Sequence, residues 1–207
     1  SEDDLKRNDM YRANAQRAKA QSRFADYHDY LLSLEMTAEI GDFSPLYLQR
    51  ITQLTNKSNQ FNLTTKRYTA EQMEAVYNSD EYIRLYGKLY DKFGDNGVVA
   101  VTIGKTDSEN KGRLDIELWL MSCRVLKRDM ELAMLDSLVE QAKKRGIREI
   151  YGHYYPTAKN KMVAGLYESF GFEKISQDEE GNTAWRLLVE GYEDKNTVIK
   201  VKEEHYA

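Results

Sequence analysis

The chain has 207 residues, of which 41% are hydrophobic and 31% are charged, a balance typical of globular proteins rather than disordered chains. Its net charge of −4 argues against a nucleic-acid-binding domain, and no apolar run reaches the roughly 18 residues that a membrane helix requires. One cysteine and three histidines offer neither a disulfide framework nor metal-ligand spacing, so we predict no metal site and, without a signal peptide, a cytoplasmic location.

The first part of the chain predicts a helical extension. Residues 3–20 are rich in Ala, Arg, Lys and Gln and favour a solvated helix, and residues 24–36 place apolar side chains at helical spacing. Pro45 occupies the first position of a further helix, which runs to about Lys57. Because the chain opens inside a helical pattern and without Met, we expect further sequence upstream.

Residues 56–67, with the sequence NKSNQFNLTTKR, are dense in amides and hydroxyls. Such composition is typical of a solvated linker, but Phe61 and Leu63 alternate with polar residues as in a short strand. Both interpretations stay open at this point. Thr69 then begins a helix that runs to about Asn78.

The remaining elements alternate in a recognisable order. Residues 82–121 predict three strands in hairpins, and residues 130–145 shift to the 3.6-residue spacing of a helix. A strand, a helix over about 158–170 and two final strands follow, and residues 191–207 resemble a partly mobile tail. This order predicts an α/β protein with a mixed sheet and helices on both faces, in which the strands around the 130–145 helix are parallel neighbours.

A short motif near the second of these helices resembles the N…LYxxxGF pattern of the GNAT superfamily of N-acyltransferases. Its residues here are Asn160, Leu166, Tyr167, Gly171 and Phe172. The resemblance implies a GNAT-like mixed sheet flanked by helices, in which two parallel strands splay apart to admit the pantetheine arm of a thioester. It also implies that Tyr167 lies beside the thioester sulfur and acts as general acid to the leaving thiolate.

The domain boundaries follow from this resemblance. We expect a helical linker or extension over residues 1–57, a GNAT-like domain over residues 58–190 and a C-terminal tail over residues 191–207.

The turn that binds phosphate in GNAT proteins has an unusual sequence here. The family places glycines there, so that backbone N–H groups can approach a diphosphate at a helix N-terminus. This chain has Asp129 and Glu131 at those places, and two carboxylates would repel a diphosphate. We expect the adjacent cations Arg124, Lys127 and Arg128 either to neutralise these acids or to meet a single phosphate.

Longer strings resemble the C-terminal region of FkbH-like proteins. They are RITQLTNKSNQFNLTTKRY at 50–68, DKFGDNG at 91–97, SCRVLKRDME at 122–131 and YYPTAKN at 154–160, with YRANAQR at 11–17 resembling the preceding linker. Full-length members carry an N-terminal HAD-type phosphatase module with a DxDx[TV] nucleophile, and are implicated in loading a glyceryl unit onto an acyl carrier protein. This chain holds no DxDx[TV], so the resemblance implies an upstream HAD-type module and an acyl carrier protein as partner. Lys127 stands where the family commonly has glycine.

The resemblance assigns candidate roles. The catalytic candidates are Tyr167 as general acid, Cys123 as relay nucleophile and His153 as base. The candidates for binding a phosphopantetheine or coenzyme A thioester are Asn160, Arg124, Arg128 and Thr157. The candidates for binding the polar acyl group are Asn59, Gln60, Asn62 and Thr64. Structural roles compete with each of these: a core aromatic, a buried thiol, a helix cap and local turns.

Three functions stay open on the sequence. The first is a module that holds the phosphopantetheine of an acyl carrier protein and assists acyl or glyceryl transfer. The second is an acyl-CoA-dependent acyltransferase acting on a small amine, hydroxyl or sugar acceptor. The third is a non-catalytic interaction domain.

Overall fold

A computed structural model describes residues 1–203 of the chain. Its helices are α1 (Glu2–Gln21), α2 (Tyr27–Ser33), α3 (Pro45–Lys57), α4 (Ala70–Tyr77), α5 (Met130–Lys144) and α6 (Leu166–Ser169). Its strands are β1 (Met36–Gly41), β2 (Tyr82–Asp91), β3 (Gly94–Thr106), β4 (Arg113–Met121), β5 (Glu149–Tyr154), β6 (Glu173–Gln177), β7 (Thr183–Leu188) and β8 (Ile199–Glu203). The strands form one mixed sheet in the order β6-β7-β5-β4-β3-β2-β1-β8.

The centre of the sheet follows from local patterns. Strands β2, β3 and β4 are antiparallel neighbours, and α5 then carries the chain to β5, which pairs parallel with β4. Helix α5 buries an apolar stripe that includes Met134 and Leu138, as its 3.6-residue spacing predicts. The predicted fold class, a mixed sheet flanked by helices, is confirmed.

Strand β4 changes the face that it presents to the two helical layers. Leu114 and Ile116 belong to the core cluster that includes the buried side of α5, whereas Leu118 and Leu120 belong to the cluster that includes α3 and α4. A register shift between β3 and β4 lies at this point. The extra residue of a β-bulge shifts the alternation of side chains by one position. Even-numbered side chains therefore face the α5 layer in the first half of β4 and the α3–α4 layer in the second half.

Two segments that the sequence assigned to flanking regions join the sheet. The predicted helix over 24–36 ends at Ser33, and Glu35, with φ of 52°, turns the chain into β1, which pairs antiparallel with β2. The prediction of a mobile tail is wrong for β8, which pairs parallel with β1, while residues 204–207 lie outside the described residues. The domain boundaries at 57 and 190 stay predictions.

The segment between β5 and β6 is less helical than predicted. The expected helix over 158–170 is divided into a 3₁₀ turn at Lys161–Val163 and the single turn of α6. None of the described helices is both long and apolar enough to cross a membrane, and the described residues hold no group of three or more His, Cys, Asp or Glu that would suit a metal ion.

Candidate active site

The site lies where β4 and β5 separate. The two strands pair from Arg113 and Glu149 as far as Ile116 and Gly152. Beyond that point β4 continues to Met121 and β5 to Tyr154, but the two strands no longer pair with each other. The facing edges of β4 and β5 are therefore left without a neighbouring strand. This is the splayed parallel pair that the sequence predicted.

The chain itself fills the splay with residues 61–64, which we call the insert segment. The backbone N–H of Leu63 donates to the carbonyl of Trp119 over 3.0 Å, and the N–H of Met121 donates to the carbonyl of Phe61, also over 3.0 Å. Asn62 and Leu120 form an antiparallel bridge between these two bonds. The stretch is therefore not a solvated linker: it forms an isolated β-bridge on the free edge of β4, with Phe61 and Leu63 buried, although it does not extend into a strand.

The insert segment also reaches the other side of the gap. The carbonyl of Leu63 accepts from the N–H of Tyr155, directly after β5, over 2.9 Å. The Thr64 hydroxyl donates to the carbonyl of Glu117 over 2.7 Å. The sequence predicted that Thr64 binds an acyl group, but in this structure its hydroxyl donates to the backbone of β4.

Asn160 holds the insert segment in place. Its side-chain amide is fully buried and donates to the carbonyls of Asn62, over 2.9 Å, and Tyr155, over 3.0 Å. Its amide oxygen accepts from the N–H of Thr157 over 2.7 Å. The Thr157 hydroxyl in turn accepts from the N–H groups of Lys159 and Asn160, so it caps a turn, as expected, although no long helix follows.

Tyr167 lies against the same gap, on the side of the sheet covered by α5. Its ring packs edge-on to Trp119, with 6.3 Å between the ring centroids, and it is only 1% exposed. No side chain would fit at Gly152, because a Cβ there would lie 2.4 Å from the Tyr167 ring. Within hydrogen-bond distance and angle, the buried Tyr167 hydroxyl has no partner among the described residues. Burial raises the pKa of this hydroxyl, and the nearby backbone N–H of His153 opposes that effect in part.

His153 belongs to an ion-pair network on the sheet. Its Nε2 lies 2.8 Å from Asp115, whose carboxylate also accepts two bonds of 2.9 Å from Arg113. Burial alone would raise the pKa of Asp115, but the hydrogen bonds from His153 and Arg113 outweigh it and hold that pKa below its usual value. The sequence missed Asp115 as the partner of His153, although its alternation on β4 places it on the same face.

The turn that would bind a diphosphate is fixed by contacts with the N-terminal helices, and it borders an open pocket of about 600 Å³ that is lined in part by Lys127 and Arg128. Lys127 and Asp129 both have left-handed backbones, with φ of 63° and 66°, and the Tyr27 hydroxyl of α2 donates to the carbonyl of Lys127. Asp129 makes no capping bond to α5, and one oxygen of Glu131 is buried without a partner among the described residues. Burial raises the pKa of both carboxyl groups.

The expected neutralisation of these acids by arginines is wrong. Arg128 instead lies 3.5 Å from Asp91, which is fully buried and accepts from Arg17 of α1 over 2.6 Å. Arg124 directs its guanidinium to Ser122 and Met10. The predicted phosphate-binding arginines are therefore held in structural contacts, to Asp91 for Arg128 and to Ser122 and Met10 for Arg124.

An open cationic cleft lies at the carboxyl end of β4. It has a volume of about 540 Å³ and its lining includes Arg50, Lys57, Asn59, Gln60, Phe61, Met121, Cys123 and Lys159. Cys123 is exposed in it, whereas the sequence favoured a buried thiol. Sequence analysis missed Arg50, Lys57 and Lys159; the seven-residue spacing of the first two, which is two turns of α3, was the available signal.

The predicted site residues therefore fall into three groups. The cleft brings together Asn59, Gln60 and Cys123. The splay brings together Asn62, Thr64, His153, Thr157, Asn160 and Tyr167. Arg124 and Arg128 lie at the predicted phosphate turn.

The comparisons with known proteins bear on the fold. No family model matches the chain, and no curated protein matches it. Solved structures do match, among them the ribosomal-protein-S18-alanine N-acetyltransferase from Escherichia coli, with 14% identity, a TM-score of 0.55, and 78% of this chain and 99% of that one covered.

Two further structures agree with this match. A putative acetyltransferase from Salmonella typhimurium, solved with its cofactor acetyl-CoA, has 14% identity and a TM-score of 0.55, and covers 76% of this chain and 96% of its own. An acetyltransferase of the GNAT family from Streptococcus pneumoniae has 18% identity and a TM-score of 0.54, and covers 73% and 99%. Together with the splayed strand pair, these likenesses show that the chain has the GNAT acyltransferase fold.

Proposed function

We propose that this chain is the GNAT-like acyltransferase domain of an FkbH-like protein, and that it takes an acyl or glyceryl group from a phosphopantetheine thioester on an acyl carrier protein. The setting would be the biosynthesis of a secondary metabolite or a polysaccharide. The observation that carries the proposal is a contrast between two places near the end of β4. The phosphate turn carries Asp129 and Glu131 and has its Lys127 carbonyl bonded to Tyr27, whereas the neighbouring cleft is open and its charged side chains are all cationic.

The diphosphate of coenzyme A does not fit the turn. Asp129 is the N-cap of α5 and Glu131 lies in its first turn, where a diphosphate would need free N–H donors and would be repelled by both carboxylates. The Tyr27 hydroxyl is bonded to the Lys127 carbonyl beside them. A single phosphate requires fewer donors. Arg50, Lys57 and Lys159 would hold it in the cleft by charge-assisted hydrogen bonds.

The path from this cleft leads toward Tyr167. From Met121 to Glu117 the free edge of β4 runs about 13 Å, at about 3.3 Å per residue. The thioester supplies an activated acyl carbon. The Tyr167 hydroxyl is protonated at neutral pH even at the ordinary tyrosine pKa of about 10, and it would donate this proton to a leaving thiolate. His153, oriented by Asp115, is the candidate base for the acceptor.

Calorimetry with three donors tests the proposal. We expect S-acetyl-4′-phosphopantetheine and an acetylated holo-acyl carrier protein to bind more tightly than acetyl-CoA. The double substitution of Arg50 and Lys57 by Ala should weaken binding of the first two donors at least tenfold. Lys111→Ala, a charge removal on an exposed hairpin turn, is the control. Tight binding of acetyl-CoA with no preference for the carrier would contradict the proposal and favour an acyl-CoA-dependent acyltransferase on a small amine, hydroxyl or sugar acceptor.

A specific observation also favours a second candidate, a non-catalytic interaction domain. The insert segment occupies the splay, and Tyr167 is 1% exposed behind it. In this alternative, no donor binds and Tyr167→Phe changes no measured activity. Thioester turnover that falls in Tyr167→Phe would exclude it.

A further inference from the structure

The strongest unexplained feature of the site is that the chain provides its own ligand for the edge of β4. The insert segment takes the carbonyl of Trp119 and the N–H of Met121, two groups that point into the splay. A pantetheine arm offers two amide groups, which form the same kinds of hydrogen bond along a strand edge. Both occupants cannot use these backbone groups at the same time.

The side chains of the insert segment strengthen its hold. Phe61 and Leu63 are buried in the same core cluster as Trp119 and Tyr167. The amide of Asn62 is fully buried and bridges the carbonyl of Ser58 and the N–H of Thr65. The segment therefore excludes water from the gap and leaves Tyr167 inaccessible.

The attachments are nevertheless local. The segment forms one bridge to β4 rather than a ladder, and outside that bridge it depends on single bonds from Tyr155, Thr64 and Asn160. Thr65, which ends it, has φ of 53°, a left-handed conformation that is unfavourable for a β-branched residue. Displacement would therefore break one bridge and these single bonds, and it would move Phe61 and Leu63 out of the core cluster.

We infer that the insert segment is a displaceable occupant of the thioester channel, that the arm replaces it along β4, and that Asn160 is the positioning residue that latches it. The inference rests on the proposed function, because it concerns the same arm. In the latched state Tyr167 is covered. In the released state the arm bonds to Trp119 and Met121, and the Tyr167 hydroxyl faces the gap.

Displacement predicts a distinctive pattern of amide exchange. When S-acetyl-4′-phosphopantetheine binds, the N–H of Leu63 loses its acceptor on Trp119 and its exchange accelerates. The N–H of Met121 donates to the arm instead of to the carbonyl of Phe61, so this amide stays protected from exchange. NMR-detected hydrogen exchange of the full chain, with and without this probe, measures both amides.

A matched pair of variants tests the competition by calorimetry with the same probe. Thr64→Val removes the bond to Glu117 without changing side-chain shape, so the latched state is weakened and the probe should bind about fivefold more tightly. Thr52→Val is the control, because this half-buried hydroxyl also donates to a carbonyl, that of Leu48, but lies within α3. The control should bind the probe with unchanged affinity.

The outcomes separate the two ideas. Binding of the probe with unchanged exchange at Leu63 and equal affinity for wild type and Thr64→Val would overturn displacement and leave the proposed function standing. Binding to Thr64→Val alone would support displacement. No binding of the probe by either protein would refute the proposed function and the displacement with it.

Discussion

The side-chain amide of Asn160 donates to the backbone carbonyl of Asn62 over 2.9 Å and so joins two loops that lie 98 residues apart in the sequence. One loop follows β5, and the other fills the gap between β4 and β5. A residue that the sequence motif assigns to a pantetheine therefore binds a piece of the chain in this structure. Its assignment as a pantetheine contact stays a prediction, since that contact would require the bond to Asn62 to break.

Replacing Asn160 by Ala should destabilise the protein by about 3 kcal/mol, because two buried carbonyls and the N–H of Thr157 would lose their partners. Urea denaturation monitored by circular dichroism measures this change. Asn182→Ala, on an exposed turn, should cost less than about 0.5 kcal/mol. Equal midpoints for the two variants would show that the latch contributes nothing to stability.

Replacing Lys127 by Gly should stabilise the fold by roughly 0.5–1 kcal/mol. Lys127 has φ of 63°, and this left-handed conformation costs a residue with a Cβ about 1–2 kcal/mol that glycine does not lose. Glycine also has more conformational freedom in the unfolded chain, which cancels part of this gain. Thermal unfolding measures the gain. Lys127→Ala keeps the Cβ and should give none, so equal gains in both variants would assign the effect to the lost charge instead.

Replacing Glu131 by Gln should stabilise the protein at neutral pH. Burial raises the folded-state pKa of Glu131, so ionisation disfavours the folded state once the pH exceeds its unfolded value of about 4.3. The gain should therefore be present at pH 7 and disappear as the pH falls below about 4. Denaturant unfolding at a series of pH values measures it, and a gain that persists at pH 3.5 would contradict the assigned cause.

Asp115→Asn should show the opposite sign over the same range. The folded-state pKa of Asp115 is lowered, so its ionised form stabilises the fold above the unfolded value of about 3.9. The loss on substitution should be largest near neutral pH and shrink as the pH falls through the folded-state pKa. Denaturant unfolding at a series of pH values from 7 downward, for wild type and Asp115→Asn, measures the loss. A loss of the same size at every pH would contradict the lowered pKa.

Replacing Gly152 by Ala should destabilise the protein by about 2–3 kcal/mol, because the new methyl would lie 2.4 Å from the Tyr167 ring and force it out of its place. In the Tyr167→Ala background the same substitution should cost far less, because the space is then open. A double-mutant cycle of unfolding free energies measures this coupling. Additive losses would show that the two residues do not constrain each other.

Local patterns predicted the centre of the fold because they are repeated along the chain. The 3.6-residue spacing of α5 and the alternation of β2 to β4 mark a buried face several times over. Strands β1 and β8 have only six and five residues, and β1 directly follows a helical pattern. Their short alternation was therefore not enough to distinguish them from a helix end and a tail.

The sequence by itself determined that the strands around the 130–145 helix are parallel neighbours and that acids stand where a diphosphate turn needs glycines, and its resemblance to the GNAT family implied the splay and the tyrosine beside it. Only the tertiary structure decided which other segments of the chain contact those features. The free edge of β4 is satisfied by residues 61–64, about 55 positions earlier in the chain. The acidic turn is contacted by Tyr27 of α2, and the neighbouring Arg128 pairs with Asp91 instead of with the acids of the turn. Buried backbone groups must find hydrogen-bond partners, and which distant segment provides them depends on how the layers pack.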